Sequence, residues 1–597
     1  MQYTIRQSDE PLLDFFEQLA EAGIQAYDIQ EKAILEWGAC DGGIMVTVPT
    51  GSGKTLIAEA AIFEALCKKQ RVYYTTPLVA LTEQKFREFS DRFGADKVGM
   101  VTGNKQINSN APLIVAVAEI LANRLLVPTD AASKHVADVV VFDEFHYFSD
   151  RERGWVWESS VLLLPSECKL MMLSATVSKT VPFMAWLDRE RGRKHKLVES
   201  FERRVPLTYV WCEQLLPEAV QTIIDRNHAP CLIFAFDRVG CFAVANQMTS
   251  LPTGALLNED EQKELQAELN QIDFGRGAGR RFRKLLFKGI GVHHAGVLPK
   301  WRQIVEDLFT RKLLKFVVCT ETLAAGVNLP ARTVMLPELV KYGGGSKKQI
   351  LPAATAQQIF GRAGRPQFDD KGYVYVLAPP DEVKIKKWED KIAKLGRTPT
   401  TKELSKKPKR DEYLVRWNND QFRKLREAEP APLESQAMPG YGALVFLLQE
   451  HELSDILALV NRKFAPPPMV RNAVEQVAIM LANLEALDYI ETEAQPGEDG
   501  KIAPIVDAAP GKPDPAGRWR KLKVKSVNVD DRVVSALADD FENLLDFRGV
   551  HPLFAHWLSK RMEIGTIGEK LQVLEALIIQ AKSMAGPDVD LDFVDHG

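Results

Sequence analysis

The stretch Val48-Pro49-Thr50-Gly51-Ser52-Gly53-Lys54-Thr55 constrains the fold of this chain more than any other. It follows an apolar run, Ile44 to Val48, and opens a run of helical character, Leu56 to Lys69. A strand, a glycine turn, a lysine with a hydroxyl neighbour and a helix together make a P-loop. Glycine lets backbone N–H groups close around phosphate oxygens with no Cβ in the way. The helix start adds a dipole that favours anions. On this reading Thr50, Gly51, Ser52 and Gly53 cradle the phosphates of ATP. Lys54 reaches the β and γ phosphates, and the Thr55 hydroxyl holds Mg²⁺. What hydrolysis would drive has to come from the other residues.

Short runs rich in Val, Ile and Tyr punctuate the first third: Ile44–Val48, Arg71–Thr75, Leu113–Val117, Val139–Phe142 and Leu170–Leu173. Strands apolar on both faces suit a parallel sheet covered by helices. A charged stretch, Lys194 to Val205, ends at Pro206 and reads as a link. A second set follows: Cys231–Phe236, Ile290–His293, Phe316–Cys319, Thr333–Leu336 and Tyr373–Leu377. The expected fold class is α/β, with two such domains in tandem over 1–200 and 201–380. Beyond Pro380 the strands stop. Lys384 to Arg426 is rich in Lys and Arg, with Trp388, Trp417 and Phe422 interleaved. That pattern suits either a solvated helical face or phosphate contact with base stacking. Tyr441 to Thr492 has helical periodicity and ends in a short strand candidate, Leu487–Glu491, as in a winged-helix-like unit. Residues 381–495 would form this third part. The fourth, 496–597, would be a linker, Gln495–Gly517, and a helical C-terminal domain. A chain of 597 residues suits about four domains.

Composition narrows the class. The net charge is −4, so any basic surface is local. The seven cysteines form no CxxC pair and no zinc-spaced cluster, and read as buried thiols of a reducing compartment. The N-terminus has no signal-peptide pattern, and no apolar run approaches the ~20 residues of a membrane span. A soluble cytoplasmic protein without membrane partners is expected.

Val139-Val140-Val141-Phe142-Asp143-Glu144-Phe145-His146 is the second chemical element. Alone, two carboxylates after a strand are commonly a solvated turn. After a P-loop in the same domain, Asp143 is placed to join the Mg²⁺ shell and Glu144 to polarise the attacking water. Ser174-Ala175-Thr176 follows another apolar strand and says little by itself. Gln358-Ile359-Phe360-Gly361-Arg362-Ala363-Gly364-Arg365 says more: two arginines three apart would share one helix face. They are candidates for charge stabilisation supplied across a cleft from the second domain.

In this order, Pro49–Thr55, Asp143–His146, Ser174–Thr176 and Gln358–Arg365 resemble motifs I, II, III and VI of superfamily 2 helicases, and Thr320–Arg332 resembles motif V. His146-Tyr147, Asp150–Gly154, Ile233–Phe236 with Cys241, and Gly291–Gly296 make the chain resemble the superkiller-type (Ski-like) DExH branch, in a compact bacterial form. The resemblance is dense from about Gln30 to Gly372. It implies tandem RecA-like domains and an ATP- and Mg²⁺-dependent helicase or translocase moving 3′→5′. Residue by residue it implies that Gln30, after Tyr27, contacts adenine and that Gly326 lies in the nucleotide site. Lys54, Asp143, Glu144, Gln358, Arg362 and Arg365 would be catalytic. Pro77, Leu78, Thr102, Gly103, Glu119, Thr320 and Thr322 would line the nucleic-acid track. His146 would couple the domains, while His293 and His294 read as structural.

Two positions depart from the pattern. Val48 stands where the strict P-loop has Gly, and Val117-Ala118-Glu119 replaces a Thr-containing motif. Gly275–Arg281 reads as a mobile basic loop. Tyr342–Lys348 falls where related helicases carry a strand-separating hairpin, with an ordinary flexible loop as the alternative. The expected partner is single-stranded or tailed duplex nucleic acid, RNA favoured over DNA, bound by a monomer; the sequence names no protein partner. The rival readings are a DNA helicase of repair or defence and an ATP-gated clamp that does not unwind. At this length the chain is expected to lack the large accessory arch of eukaryotic Ski-like helicases.

Overall fold

Parallel strands buried on both faces build two sheets, and their carboxyl ends carry the motifs. The computed structural model of the chain describes residues 1–103, 105–126, 136–251, 256–272, 274, 278–321, 329, 331–342, 348–366, 368–395, 397–411, 414–486, 490–494 and 532–537. Thr322, Gly326, Gly275–Gly277, residues 343–347 and Gln495–Gly517 lie outside the described residues.

The first sheet holds β1 (Gly43–Thr47), β2 (Val72–Thr76), β3 (Val98–Val101), β4 (Gln106–Ile107), β5 (Leu113–Val117), β6 (Val139–Phe142), β7 (Lys169–Ser174) and β8 (Lys196–Glu199). Its order is β4-β3-β5-β2-β6-β7-β1-β8, parallel except for the β3–β4 pair. The second sheet holds β9 (Leu207–Cys212), β10 (Cys231–Phe234), β11 (Ile290–His293), β12 (Phe316–Cys319), β13 (Thr333–Leu336) and, after an antiparallel hairpin of β14 (Val340–Tyr342) with β15 (Lys348–Ile350), β16 (Gly372–Leu377). Its order, β11-β12-β10-β13-β16-β9, is parallel throughout. All seven cysteines are free and buried.

The pattern does not announce β3, β4, β8 and β9. β8 and β9 are edge strands with partly exposed side chains, so polar residues interrupt their apolar run. The expected link at Lys194–Val205 is therefore shorter: its first half is β8, and only 200–206 crosses between the sheets. In the expected loop Gly275–Arg281, Ala278 onward begins the helix Ala278–Leu286.

The basic segment folds as part of the second domain. Trp417 is buried and donates its indole N–H to Leu377 O at 2.8 Å, while Phe422 and Leu425 join the second core. Arg416 pairs with Asp381 at 2.7 Å and Glu382 at 3.0 Å, Arg397 with Glu403 at 2.8 Å, and Lys386 with Glu213. Two of the three aromatic side chains are thus core residues, and part of the cationic excess is internally neutralised.

The next unit docks on the first domain instead. Its helices Tyr441–Glu450, Leu453–Asn461 and Pro467–Ala486 share a core with Phe148, Phe183 and Trp186. Two further strands, β17 (Ile490–Ala494) and β18 (Arg532–Leu537), pair antiparallel and complete a winged-helix-like outline. β18 thus lies in the part expected to be a linker and helical domain, and it pairs with β17 across the 495/496 boundary. Pairing across so many residues leaves no local periodicity to read.

A strap joins the halves. Ala428 O accepts from Gln357 of the second domain at 2.5 Å, and Pro430 O accepts from Ser178 of the first at 2.8 Å. Lys463, fully buried, then clamps the docked unit. It donates to Glu158 Oε2 at 2.5 Å, Ser435 Oγ at 2.7 Å and Ala437 O at 2.8 Å. Glu158 also accepts from the Phe464 N–H at 2.7 Å. Removing one partner leaves the other as an uncompensated buried charge. Lys463→Met is expected to cost about 3–5 kcal/mol, and Glu158→Leu added to it to recover part of the loss. Thermal unfolding together with limited proteolysis of 436–440 checks both.

Candidate active site

The P-loop leaves the end of β1 and turns into the helix Lys54–Cys67 through Gly53, whose φ of 72° makes it a left-handed N-cap. A Cβ on Gly53 would lie 2.2 Å from Gln30 Nε2. Gln30 itself belongs to the loop: its Nε2 donates to Ser52 O at 3.2 Å and Gly53 O at 2.9 Å. Its Oε1 accepts from the Tyr27 N–H at 2.9 Å. The predicted adenine contact is therefore wired to the phosphate cradle. Arg204, in the crossing 200–206, lies over the Tyr27 ring at 3.7 Å. Thr50 lines the cleft, Ser52 Oγ donates to Pro49 O at 2.7 Å, and Lys54 Nζ lies 3.5 Å from Val48 O.

Asp143 and Glu144 end β6 two strands from the P-loop strand. Tyr74 at the neighbouring β2 donates its hydroxyl to Asp143 Oδ2 at 2.6 Å. Glu144 takes a left-handed φ of 52°, which turns its side chain away from the strand line. Burial, reinforced by Glu144, raises the Asp143 carboxyl above the usual range. Burial pushes Glu144 the same way. His146, Lys54 and Arg362 outweigh it and hold Glu144 below the usual range, ionised.

Thr55 Oγ1 and the Asp143 carboxylate are hard oxygen donors that fit Mg²⁺. A cation already addresses Thr55, because Lys85 Nζ donates to Thr55 Oγ1 at 2.7 Å. Among the described residues no group of three or more His, Cys, Asp or Glu forms another metal site.

The second domain meets this cluster directly. Gln358 Nε2 donates to His146 Nε2 at 2.9 Å, and His146 Nδ1 lies 3.3 Å from Glu144 Oε2. The chain Glu144–His146–Gln358 thus crosses from one domain to the other. The charges of Arg362 and Glu144 act on each other, and burial lowers the Arg362 pKa. The expected shared helix face is not formed: the helix stops at Phe360, Arg362 lies in the turn that follows, and Arg365 lies beyond that turn. Gly361 closes the helix, and Gly364 at φ 82° bends the chain away. The two arginines consequently part. Arg365 is held by Asp369 through two bonds of 2.7 and 2.8 Å. Arg203, next to Arg204, donates to Gly361 O and Ala363 O at 3.3 and 3.2 Å. A cleft of about 480 Å³ remains between the domains, lined by Thr50, His146, Thr176, Arg203, Gln358 and Pro432.

The predicted track residues also sit at strand ends: Pro77 and Leu78 after β2, Thr102 and Gly103 after β3, Glu119 after β5 and Thr320 after β12. Arg153 gathers two of them, donating to Pro77 O at 2.6 Å and to Glu119 Oε1 at 2.5 Å. Glu119, which stands where the resemblance expects a threonine-containing motif, is thereby paired with a cation. Thr102 is buried, and Gly103 is exposed. His293 and His294 are buried, with His293 Nε2 on Glu306 at 2.7 Å. Tyr74, Lys85 and Arg203 had no sequence signal, since their partners come from other elements.

Burial holds the His146 imidazole below its ordinary range, against the pull of Glu144. The folded chain then binds fewer protons than the unfolded chain below pH ~6.5. Stability is kept above that value and declines beneath it. Protonation also removes the acceptor that Gln358 uses. Thermal unfolding of the unsubstituted chain is expected to fall more steeply than that of His146→Gln between about pH 7.5 and 5.5.

Residues 27–183 match the DEAD/DEAH box helicase family. The chain is 34% identical over 443 residues to the DExH-box ATP-dependent RNA helicase DExH15, chloroplastic, of Arabidopsis thaliana, covering 59% of this chain and 37% of that one. It is 32% identical over 430 residues to the probable helicase HelY of Mycobacterium tuberculosis, covering 61% and 46%. It is 33% identical over 393 residues to the exosome RNA helicase MTR4 of Mus musculus, covering 56% and 37%. The aligned part thus spans less than half the length of each of these relatives. Residues 27–183 thus resemble a DEAD/DEAH box helicase domain, and over the aligned part the chain is similar to DExH-box helicases.

Proposed function

We propose that this chain is a Ski-like DExH-box protein, an ATP-dependent helicase or translocase that moves 3′→5′ on single-stranded or tailed duplex RNA. The observation that carries the reading is the line Glu144–His146–Gln358, with Arg362 beside it, which makes the hydrolytic carboxylate depend on the second domain. Two of the relatives are described as RNA helicases, which supports RNA over DNA. The hairpin β14–β15 stands at the predicted strand-separating position and supports unwinding over passive clamping. Buried, unpaired cysteines support a cytoplasmic location, and among the described residues no helix is long and apolar enough to cross a membrane. The chain would act as a monomer.

In this reading Gln30 and Tyr27 hold the base, and Thr50–Gly53 and Lys54 hold the phosphates. Thr55 and Asp143 would hold Mg²⁺, which when bound neutralises charge on the β and γ phosphates. Tyr74 keeps Asp143 oriented. Glu144, kept ionised by its cationic neighbours, accepts the proton of the attacking water. Arg362 adds positive charge from the second domain as the domains close. Arg365 would join it only by leaving Asp369. Pro77, Leu78, Thr102, Gly103, Glu119 with Arg153, Thr320 and Thr322 would follow the strand backbone, so binding would be insensitive to sequence and steeply salt-dependent. Parting a base pair costs roughly 1–2 kcal/mol of stacking, well within one hydrolysis event.

Lys54→Ala and Glu144→Gln are expected to abolish RNA-stimulated hydrolysis. Arg362→Ala is expected to lower kcat by roughly 10³-fold or more. Hydrolysis measured beside matched single-stranded RNA and DNA, followed by displacement of tailed duplexes, tests the whole reading. Stimulation by DNA alone turns it to the DNA helicase, and hydrolysis without displacement on any overhang turns it to the clamp. Unchanged turnover in Glu144→Gln removes the role given to Glu144.

A further inference from the structure

Lys85 belongs to none of the motifs, yet its ammonium lies inside the candidate site. It sits in the second turn of the helix Val79–Phe93, and only 7% of the residue is exposed. A buried ammonium is costly unless it is paired. Lys85 finds its partners in the nucleotide site: its Nζ donates to Thr55 Oγ1 at 2.7 Å. Its charge also acts on Asp143 and Glu144, favouring the ionised form of both. A second partner waits one turn along the same helix. Glu88 Oε2 accepts from Lys85 Nζ at 3.0 Å, and the Glu88 side chain is 33% exposed.

Thr55 and Asp143, the two oxygen-bearing groups that fit a divalent cation, therefore share one lysine. An ammonium cannot coordinate; it points hydrogen atoms at the lone pairs a metal needs. Its charge also repels a second cation arriving at the same hydroxyl. The ammonium and Mg²⁺ are alternatives at Thr55, and Glu88 gives the displaced ammonium somewhere to go.

We propose that Lys85 is a built-in counter-ion: it holds the divalent-cation position of the nucleotide-free chain and yields it to Mg²⁺ by turning fully onto Glu88. The inference rests on the ATP-hydrolysing reading above and adds a regulator of metal entry and release. Metal binds only to the fraction of molecules in which Lys85 has moved, so its apparent affinity is reduced by that fraction. When the metal departs with the spent nucleotide, Lys85 returns and keeps Asp143 and Glu144 from facing each other uncompensated. The acidic pair thus has a cation at every stage of the cycle.

The test is the Mg²⁺ concentration that half-saturates binding of a ribose-tagged fluorescent β,γ-imido analogue of ATP, measured without turnover. Lys85→Met is expected to lower that concentration by roughly fivefold or more, because nothing has to be displaced. Glu88→Gln is expected to raise it, because the displaced ammonium loses its partner. A general weakening of the fold would move both variants in one direction, so the opposed shifts identify the exchange. An unchanged or higher Mg²⁺ demand in Lys85→Met with a parental melting temperature overturns the proposal. Should Lys85→Met unfold, an unchanged or lower demand in Glu88→Gln overturns it equally. If the unsubstituted chain binds the analogue without regard to Mg²⁺, the ATP reading falls and this one with it. If the unsubstituted chain needs Mg²⁺ and neither variant shifts the requirement, only this one falls.

Discussion

Two adjacent carboxylates at the end of a buried strand are an electrostatic problem, and much of the molecule is arranged around it. Burial alone pushes both Asp143 and Glu144 toward the neutral form. Tyr74 meets the first through a hydroxyl, and Lys54, Lys85, His146 and Arg362 all favour the charged form of the second. Each of these groups comes from a different element: the P-loop helix, the helix after β2, the turn after β6 and the loop after Phe360. A parallel sheet makes this possible, because its strands end on one edge and whatever follows them converges there. The last contributor belongs to another domain, so the ionisation of Glu144 is tied to how closely the second sheet sits over the first.

The chain beyond the second sheet divides its loyalties. Trp417, Phe422 and Leu425 are packed into the second domain, whereas Phe464 and the helices around it are packed into the first. Lys463 and Glu158 make the second attachment specific, since a buried ion pair tolerates no shifted arrangement. The first domain and the winged-helix-like unit consequently form one packed body. Anything held by that unit is in register with the P-loop rather than with the second domain.

Strands apolar on both faces were legible residue by residue. Leu113–Val117, Val139–Phe142, Ile290–His293, Phe316–Cys319 and Thr333–Leu336 occupy the positions their composition suggests. The edge strands β8 and β9 were hidden, because half of each faces water and the apolar run breaks. The motifs marked the candidate site, since their glycines, carboxylates and arginines have fixed spacing along the chain. What spacing could not reveal is how side chains meet across elements. Lys85 looked like one of many helix lysines, and Tyr74 like a strand aromatic. Arg362 and Arg365 looked equivalent until a glycine ended the helix and Asp369 took the second. Trp417 and Phe422, read against a basic background, offered base stacking as readily as a core; only a packed neighbour decides between them.

The strap has a mechanical consequence. The first and second domains are joined along the chain at 200–206, where the Ser200 N–H bonds to Thr47 O and Pro206 O accepts from Gly372. They are joined again where Ala428 is fastened to one domain and Pro430 to the other. The second crossing is two residues long, at most ~7 Å of extended chain. A rigid body pinned at two places keeps one freedom, rotation about the line through the pins. Rotation of the second domain about that line is the relative motion that leaves both crossings intact. A small angle near the axis, where Gln358 meets His146, becomes a longer arc at the rim.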